Sequence, residues 1–178
     1  MAPAAARTQA FAAIVAADAA VATSALERTK QLDTPVHDHA FLEAWAAASG
    51  LVETADAPIP APAMGLMLTS LEALLRVHEF DAFEVLLGLV GRVDGLGARQ
   101  RHELLASLYL RRGFLDSAAE EWAAACDESG PDAAAFAGLA QVAAARGEVL
   151  DARVFAEGAL ELDPSADAAR RVLAALEA

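Results

Sequence analysis

Between His102 and Pro164 one pattern of small and large side chains is written twice, thirty-four positions apart. Gly113 answers Gly147, Ala118 answers Ala152, Leu105-Ala106 recurs as Leu139-Ala140, and Ala125 recurs as Ala159. A unit of that length has room for two helices and a turn, but it cannot bury its apolar face alone, so neighbouring copies must stack. The recurring residues fit such a unit mechanically. Ala106 and Ala140 fall midway along a first helix and Ala118 and Ala152 near the start of a second, where only a small side chain lets two helices approach closely. Trp122 and Leu105 fill the space beside them. Gly113 and Gly147 stand where the first helix must stop, in a left-handed conformation that costs glycine little.

The pattern resembles the tetratricopeptide repeat, a helix-turn-helix unit with Trp, Leu-Gly, Tyr, Gly, Ala, an aromatic, Ala and Pro at set offsets. Those offsets fall here on residues 102, 105–106, 109, 113, 118, 122, 125 and 130, then 136, 139–140, 143, 147, 152, 156, 159 and 164. Ala143 and Ala156 replace aromatics, and Gly130 stands in place of the first copy's proline with Pro131 next to it. The resemblance implies an all-α, TPR-like solenoid of helical hairpins, about three pairs plus a capping helix, with further helices at the amino terminus. It also implies a concave groove lined by first helices: Glu103, Ser107, Leu110 and Arg111 in one repeat, Ala137, Gln141, Ala144 and Ala145 in the next, and Arg171 from the cap. The implied partner-binding set is Ser107, Leu110, Arg111, Gln141 and Arg171, taking a protein or peptide partner; two arginines facing the groove of an acidic protein would invert its field locally, so that partner is expected to carry a carboxylate beside apolar anchors. The family's carboxylate clamp uses Lys and Asn at positions held here by Glu103, Ser107, Ala137 and Gln141, so a chaperone-tail partner is not expected. More loosely, residues 60–178 resemble the repeat-bearing tail of some actinobacterial family 2 glycosyltransferases. The chain carries no α/β nucleotide-sugar domain, so that likeness implies no activity within it.

Composition narrows the class further. With one Tyr, two Trp and seven Phe, the 178-residue chain must build its core from leucines and close helix approach, and almost no stretch shows the alternation of a strand. A net charge of −13, spread along the chain, disfavours nucleic acid and anionic membrane surfaces, both of which need concentrated Lys and Arg. No apolar run approaches the ~20 residues of a membrane span. The amino terminus mimics a leader weakly, with Arg7 before Phe11–Ala17 and small residues at Ala22–Ala25, but Asp18 interrupts the apolar run. The lone Cys126 cannot close an internal disulfide and occupies the repeat position of Leu160, which predicts a packed thiol and suits a reducing, cytoplasmic setting.

Taken in order, residues 3–32 predict one helix with Phe11, Ile14, Val15, Ala22, Ala25 and Leu26 on a narrow stripe, and residues 39–49 a second, carrying Phe41, Leu42 and Trp45. Alternating prolines at 58, 60 and 62 predict an extended linker over residues 51–63, separating an amino-terminal segment (1–50) from a repeat domain (64–178). Within that domain residues 64–96 predict a degenerate pair, aligned by a thirty-six-residue shift that puts Ser70 and Ala82 on the small positions, with Asp81 and Glu84 as a capping box. The clear repeats are 99–132 and 133–166. Asp163 and Pro164 are expected to start the capping helix of 167–178.

Residues with chemical potential are few. His37, Asp38, His39 and Glu43 could together offer ligands to a divalent cation, but two of them precede the predicted helix and no partner from elsewhere is evident, so a solvated helix start is expected. His78 and His102 lie on apolar stripes and read as packing residues. No Ser-His-Asp order, phosphate-binding glycine loop or cysteine-ligand spacing occurs. The expectation is a non-catalytic interaction module without a cofactor, its oligomeric state left open.

Overall fold

The computed structural model describes residues 2–53 and 56–177, and every regular element among them is helical. The ten α-helices are α1 (Pro3–Val15), α2 (Ala19–Gln31), α3 (Val36–Ala48), α4 (Met64–Val77), α5 (Phe80–Leu89), α6 (Ala98–Arg112), α7 (Leu115–Ser129), α8 (Ala133–Arg146), α9 (Val149–Leu162) and α10 (Asp167–Leu176). They form two units that divide between Leu96 and Gly97. None of the helices is long and apolar enough to cross a membrane.

In the first unit the single helix expected over 3–32 is two. Ala17 adopts a left-handed φ of 53°, and the Asp18 carboxylate accepts the Val21 amide at 3.0 Å, capping a new helix. A continuous helix would leave its narrow alanine stripe facing water; folding α2 back on α1 buries Ala6, Ala10 and Ala13 together with Ala22, Ala25 and Leu26. α3 starts at Val36, immediately after Pro35, three residues earlier than the sequence suggested. Its Trp45, fully buried, stacks on Phe41 at 6.0 Å and meets the edge of Phe11 of α1 at 5.3 Å.

The His37–Glu43 segment is not a solvated helix start. Asp38 is buried and paired with Arg7 of α1, the His39 ring nitrogen Nδ1 lies 2.6 Å from the Thr29 hydroxyl, and Glu43 lies 3.6 Å from Lys30. Burial, partly opposed by the Glu43 carboxylate, pushes the His39 imidazole below its ordinary pKa. Asp38, His39 and Glu43 tie α3 to α1 and α2, while His37 meets only Asp38 of its own helix, and among the described residues no group of His, Cys, Asp and Glu is placed to hold a metal ion.

The proline-rich stretch is not a free spacer either. Thr54 and Ala55 lie outside the described residues, but from Asp56 onward the segment is tied to the end of α5. The Ile59 amide donates to the Arg92 carbonyl at 2.9 Å, and the Asp94 amide donates to Ile59 at 2.8 Å in a lone parallel bridge between Ile59 and Val93. Ile59 and, in the following 3-10 turn, Ala63 are buried. α3 packs against α5 and against this turn. The boundary therefore falls after residue 96 and not within 51–63: α4 and α5 share the core of α1–α3.

α4 and α5 nonetheless make a hairpin whose turn matches those of the two clear repeats. The amides of His78 and Glu79 donate to Leu75 and Leu74, those of Gly113 and Phe114 to Leu110 and Tyr109, and those of Gly147 and Glu148 to Ala144 and Ala143. All three turns pass through a left-handed residue, His78 (φ 61°), Gly113 (φ 79°) and Gly147 (φ 78°). The first register is thus shifted by thirty-five residues, not thirty-six: Phe83, not Ala82, takes the place of Ala118. The missing glycine is replaced by a strained histidine, which is exposed and 5.8 Å from the Phe80 ring instead of packed in the core. The predicted Asp81–Glu84 box is absent, because α5 begins at Phe80 with Glu79 at the N-cap and no side-chain cap. His78→Gly should stabilise the first unit by roughly 0.5–1 kcal/mol in a urea titration, since glycine relieves the left-handed strain. No change or a loss would mean that the ring contact with Phe80 outweighs the backbone.

The second unit is the hairpin α6/α7, the hairpin α8/α9 and α10. Ala106, Ala118, Ala125, Ala140, Ala152 and Ala159 are all fully buried, as the repeat pattern requires. Ala118→Leu and Ala152→Leu should each cost about 1–3 kcal/mol by overpacking, whereas Ala145→Leu, on an exposed position, should be nearly neutral in the same urea assay. Equal effects at the three sites would contradict this register. α10 starts at Asp167, later than Asp163-Pro164 suggested. Asp163 instead closes a tight turn, accepting the Ser165 amide at 2.8 Å and its hydroxyl at 2.7 Å.

Candidate functional site

α6, α8 and the turn into α10 line one depression of about 470 Å³ on the second unit. Of the five residues expected to bind a partner, Ser107, Leu110, Arg111 and Gln141 line it, as does Ala137 of the wider groove set. Arg171 does not: it is exposed on α10, and the residues that line the groove from that side are Asp163, Ala166, Asp167 and Ala168. Ala144 and Ala145 also stay out of it, because the end of α8 carries them beyond Gln141; Glu103 turns instead to Arg99, 2.8 Å away.

The floor is made by Ala133, Ala134, Ala137 and Gly138 on α8 and by Trp122 on α7. Trp122 and Gly138 fit as a pair. A methyl group added at Gly138 would lie 2.1 Å from Cε2 of the indole, so the ring occupies the space a side chain would take. Trp122 is only 8% exposed, and its ring forms the seam by which the first hairpin packs on the second. A glycine inside a helix costs about 1 kcal/mol relative to alanine, which is the signal in the sequence that another group approaches the backbone there. The repeat comparison missed it, because Gly138 is matched by Leu104 in the first copy.

Arg99 ties α6 to the start of α8. Besides Glu103 it pairs with Asp132, the N-cap of α8, and donates to the Gly130 carbonyl at 3.3 Å. Burial acts to raise the Asp132 pKa, but the Ala135 amide and the Arg99 guanidinium outweigh it and hold the carboxylate below its ordinary range. His102, expected as a packing residue, is half-buried and holds α6 to α7 through a 2.6 Å contact with Glu121.

Electrostatically the groove has two ends. On α6, Arg111 is exposed and makes no ion pair or hydrogen bond with the described residues. At the α10 turn stand two carboxylates, Asp163 and Asp167, both held below the ordinary pKa, the first chiefly by the Ser165 hydroxyl and the second chiefly by Arg170. Both are therefore ionised at neutral pH. Arg170 is committed there, pairing with Asp167 and donating to the Pro164 carbonyl at 3.0 Å. Between the ends lie the hydroxyl of Ser107 and the amide of Gln141, with Leu110 offering apolar surface.

Cys126 sits half-buried on α7, and burial, only partly offset by Arg99, pushes its thiol up. No family model matches the chain, and no curated protein or solved structure matches it either.

Proposed function

We propose that this chain is a non-catalytic interaction module of the tetratricopeptide type, working in the cytoplasm, whose second unit holds a protein or peptide segment against α6 and α8. The observation that carries the reading is the groove itself: four residues picked from the repeat pattern, Ser107, Leu110, Arg111 and Gln141, line one depression of about 470 Å³ with an alanine and glycine floor. Small floor residues leave room for a partner's side chains, while an unpaired arginine is free to take a carboxylate without first breaking an internal bond. The fully buried alanines at equivalent positions of the two hairpins, and the shared left-handed turns, support the repeat reading.

Arg111→Glu should lower the affinity for a partner captured from the source cell by about tenfold, with circular dichroism and melting close to wild type, since Arg111 is exposed and unpaired. Arg171→Glu should leave capture within about twofold. A folded Arg111→Glu variant that binds as well as wild type would place the partner elsewhere on the surface.

A further inference from the structure

The groove's two charged ends narrow what can occupy it. Resting on the interaction-module reading above, we propose that the occupant is a dipolar segment: an acidic side chain meets Arg111 on α6, a lysine or arginine meets Asp163 and Asp167 at the α10 turn, and small apolar residues lie between. Charge complementarity argues for this pattern against its rivals. Arg111 brings one uncompensated positive charge. At the other end Asp163 and Asp167 both line the groove, whereas the cations beside them, Arg170 paired with Asp167 and Arg171 acting on it, are not among the lining residues, so the groups presented to an occupant there are carboxylates. The Asp163 Oδ1 atom is taken by Ser165, and its second oxygen is open to a donor from the occupant.

A uniformly acidic segment would satisfy Arg111 but set a carboxylate against Asp163 and Asp167; a uniformly basic one would do the reverse. Either loses at one end what it gains at the other, so discrimination comes as much from the repelled end as from the attracted one. The neutral stretch between the ends suits a backbone passing over Ala134, Ala137 and Gly138, with Ser107 and Gln141 able to bond its peptide groups.

The test is a calorimetric titration of the full chain with four pools of acetylated, amidated octapeptides, randomised over small and apolar residues at the centre. The pools carry glutamate and lysine at opposite ends in either order, glutamate at both ends, or lysine at both ends. One of the two mixed-charge pools is expected to bind about tenfold more tightly than the glutamate-only pool, with amide shifts at Ala137 and Gly138. In Asp163→Asn/Asp167→Asn, where the amides keep the turn's acceptor oxygens, that advantage should vanish while binding of the glutamate-only pool rises. Equal affinity of the mixed and glutamate-only pools for wild type would overturn the dipolar assignment and leave the groove reading standing. Shifts confined to residues outside the groove, or no shift with any pool, would remove the groove reading and this inference with it.

Discussion

Gly138→Ala will destabilise the second unit by about 2–3 kcal/mol, although alanine is the better helix former by about 1 kcal/mol. Two opposing effects meet at this position. In an open helix the added methyl group stabilises, but here it would lie 2.1 Å from Cε2 and 2.4 Å from Cδ2 of Trp122, far inside contact distance. Those atoms belong to the middle of a rigid bicyclic ring that is itself nearly buried, so relief requires the whole indole to move and the hairpin seam to open. The experiment is urea unfolding of the full chain, followed by circular dichroism, for Gly138→Ala, Trp122→Ala and the pair. In the Trp122→Ala background the same glycine substitution should be neutral or stabilise by up to ~1 kcal/mol, giving a coupling of about 3 kcal/mol between the two sites. A stabilising effect of Gly138→Ala in the wild-type background would show that the ring does not lie there.

Cutting the chain yields the second large effect. A fragment of residues 97–178 should be helical, monodisperse and cooperatively unfolding, because its two hairpins and α10 bury their small faces on one another. A fragment of residues 60–178 should behave worse despite being longer. It would carry α4 and α5 without α1–α3, exposing Leu71, Leu74, Leu86 and Val90, all fully buried in the whole chain. Aggregation or ANS binding by 60–178, with clean folding of 97–178, is the expected outcome. The reverse ranking would restore the proline-rich stretch as the boundary.

How much of this was legible in the sequence varies with the kind of signal. Periodicity and small-residue spacing located α6–α9 well, because Ala118 and Ala152 are constrained by close helix approach and Gly113 and Gly147 by a left-handed backbone, and both constraints exclude most other residues. The same logic brought Ser107, Leu110, Arg111, Ala137 and Gln141 to one depression. It failed for α10, since Arg171 was placed by register alone and the Asp163–Ser165 turn delays the helix start and brings Asp163 and Asp167 to the groove instead. Residues 1–96 were read less well, for tertiary reasons. An Asp within an alanine-rich helix gives no local hint that it caps a second helix folding back, and a left-handed His78 hides a turn that glycine would have announced. The half-buried Arg7–Asp38 pair spans thirty-one positions, and alternating prolines look like a spacer unless the bridge from Ile59 to Val93 is known.

The face formed by α6, α8 and the α10 turn is the one we propose to meet a partner. Incorporating a photo-reactive phenylalanine analogue at Gln141, on the groove, and separately at Leu150, 79% exposed on α9 and outside the groove, tests it most directly in the source cell. The expected result is a discrete crosslinked species from position 141 that is lost when Arg111→Glu is added, and none of that mass from position 150. The same adduct from position 150, or an adduct at 141 that survives Arg111→Glu undiminished in a folded protein, would contradict it.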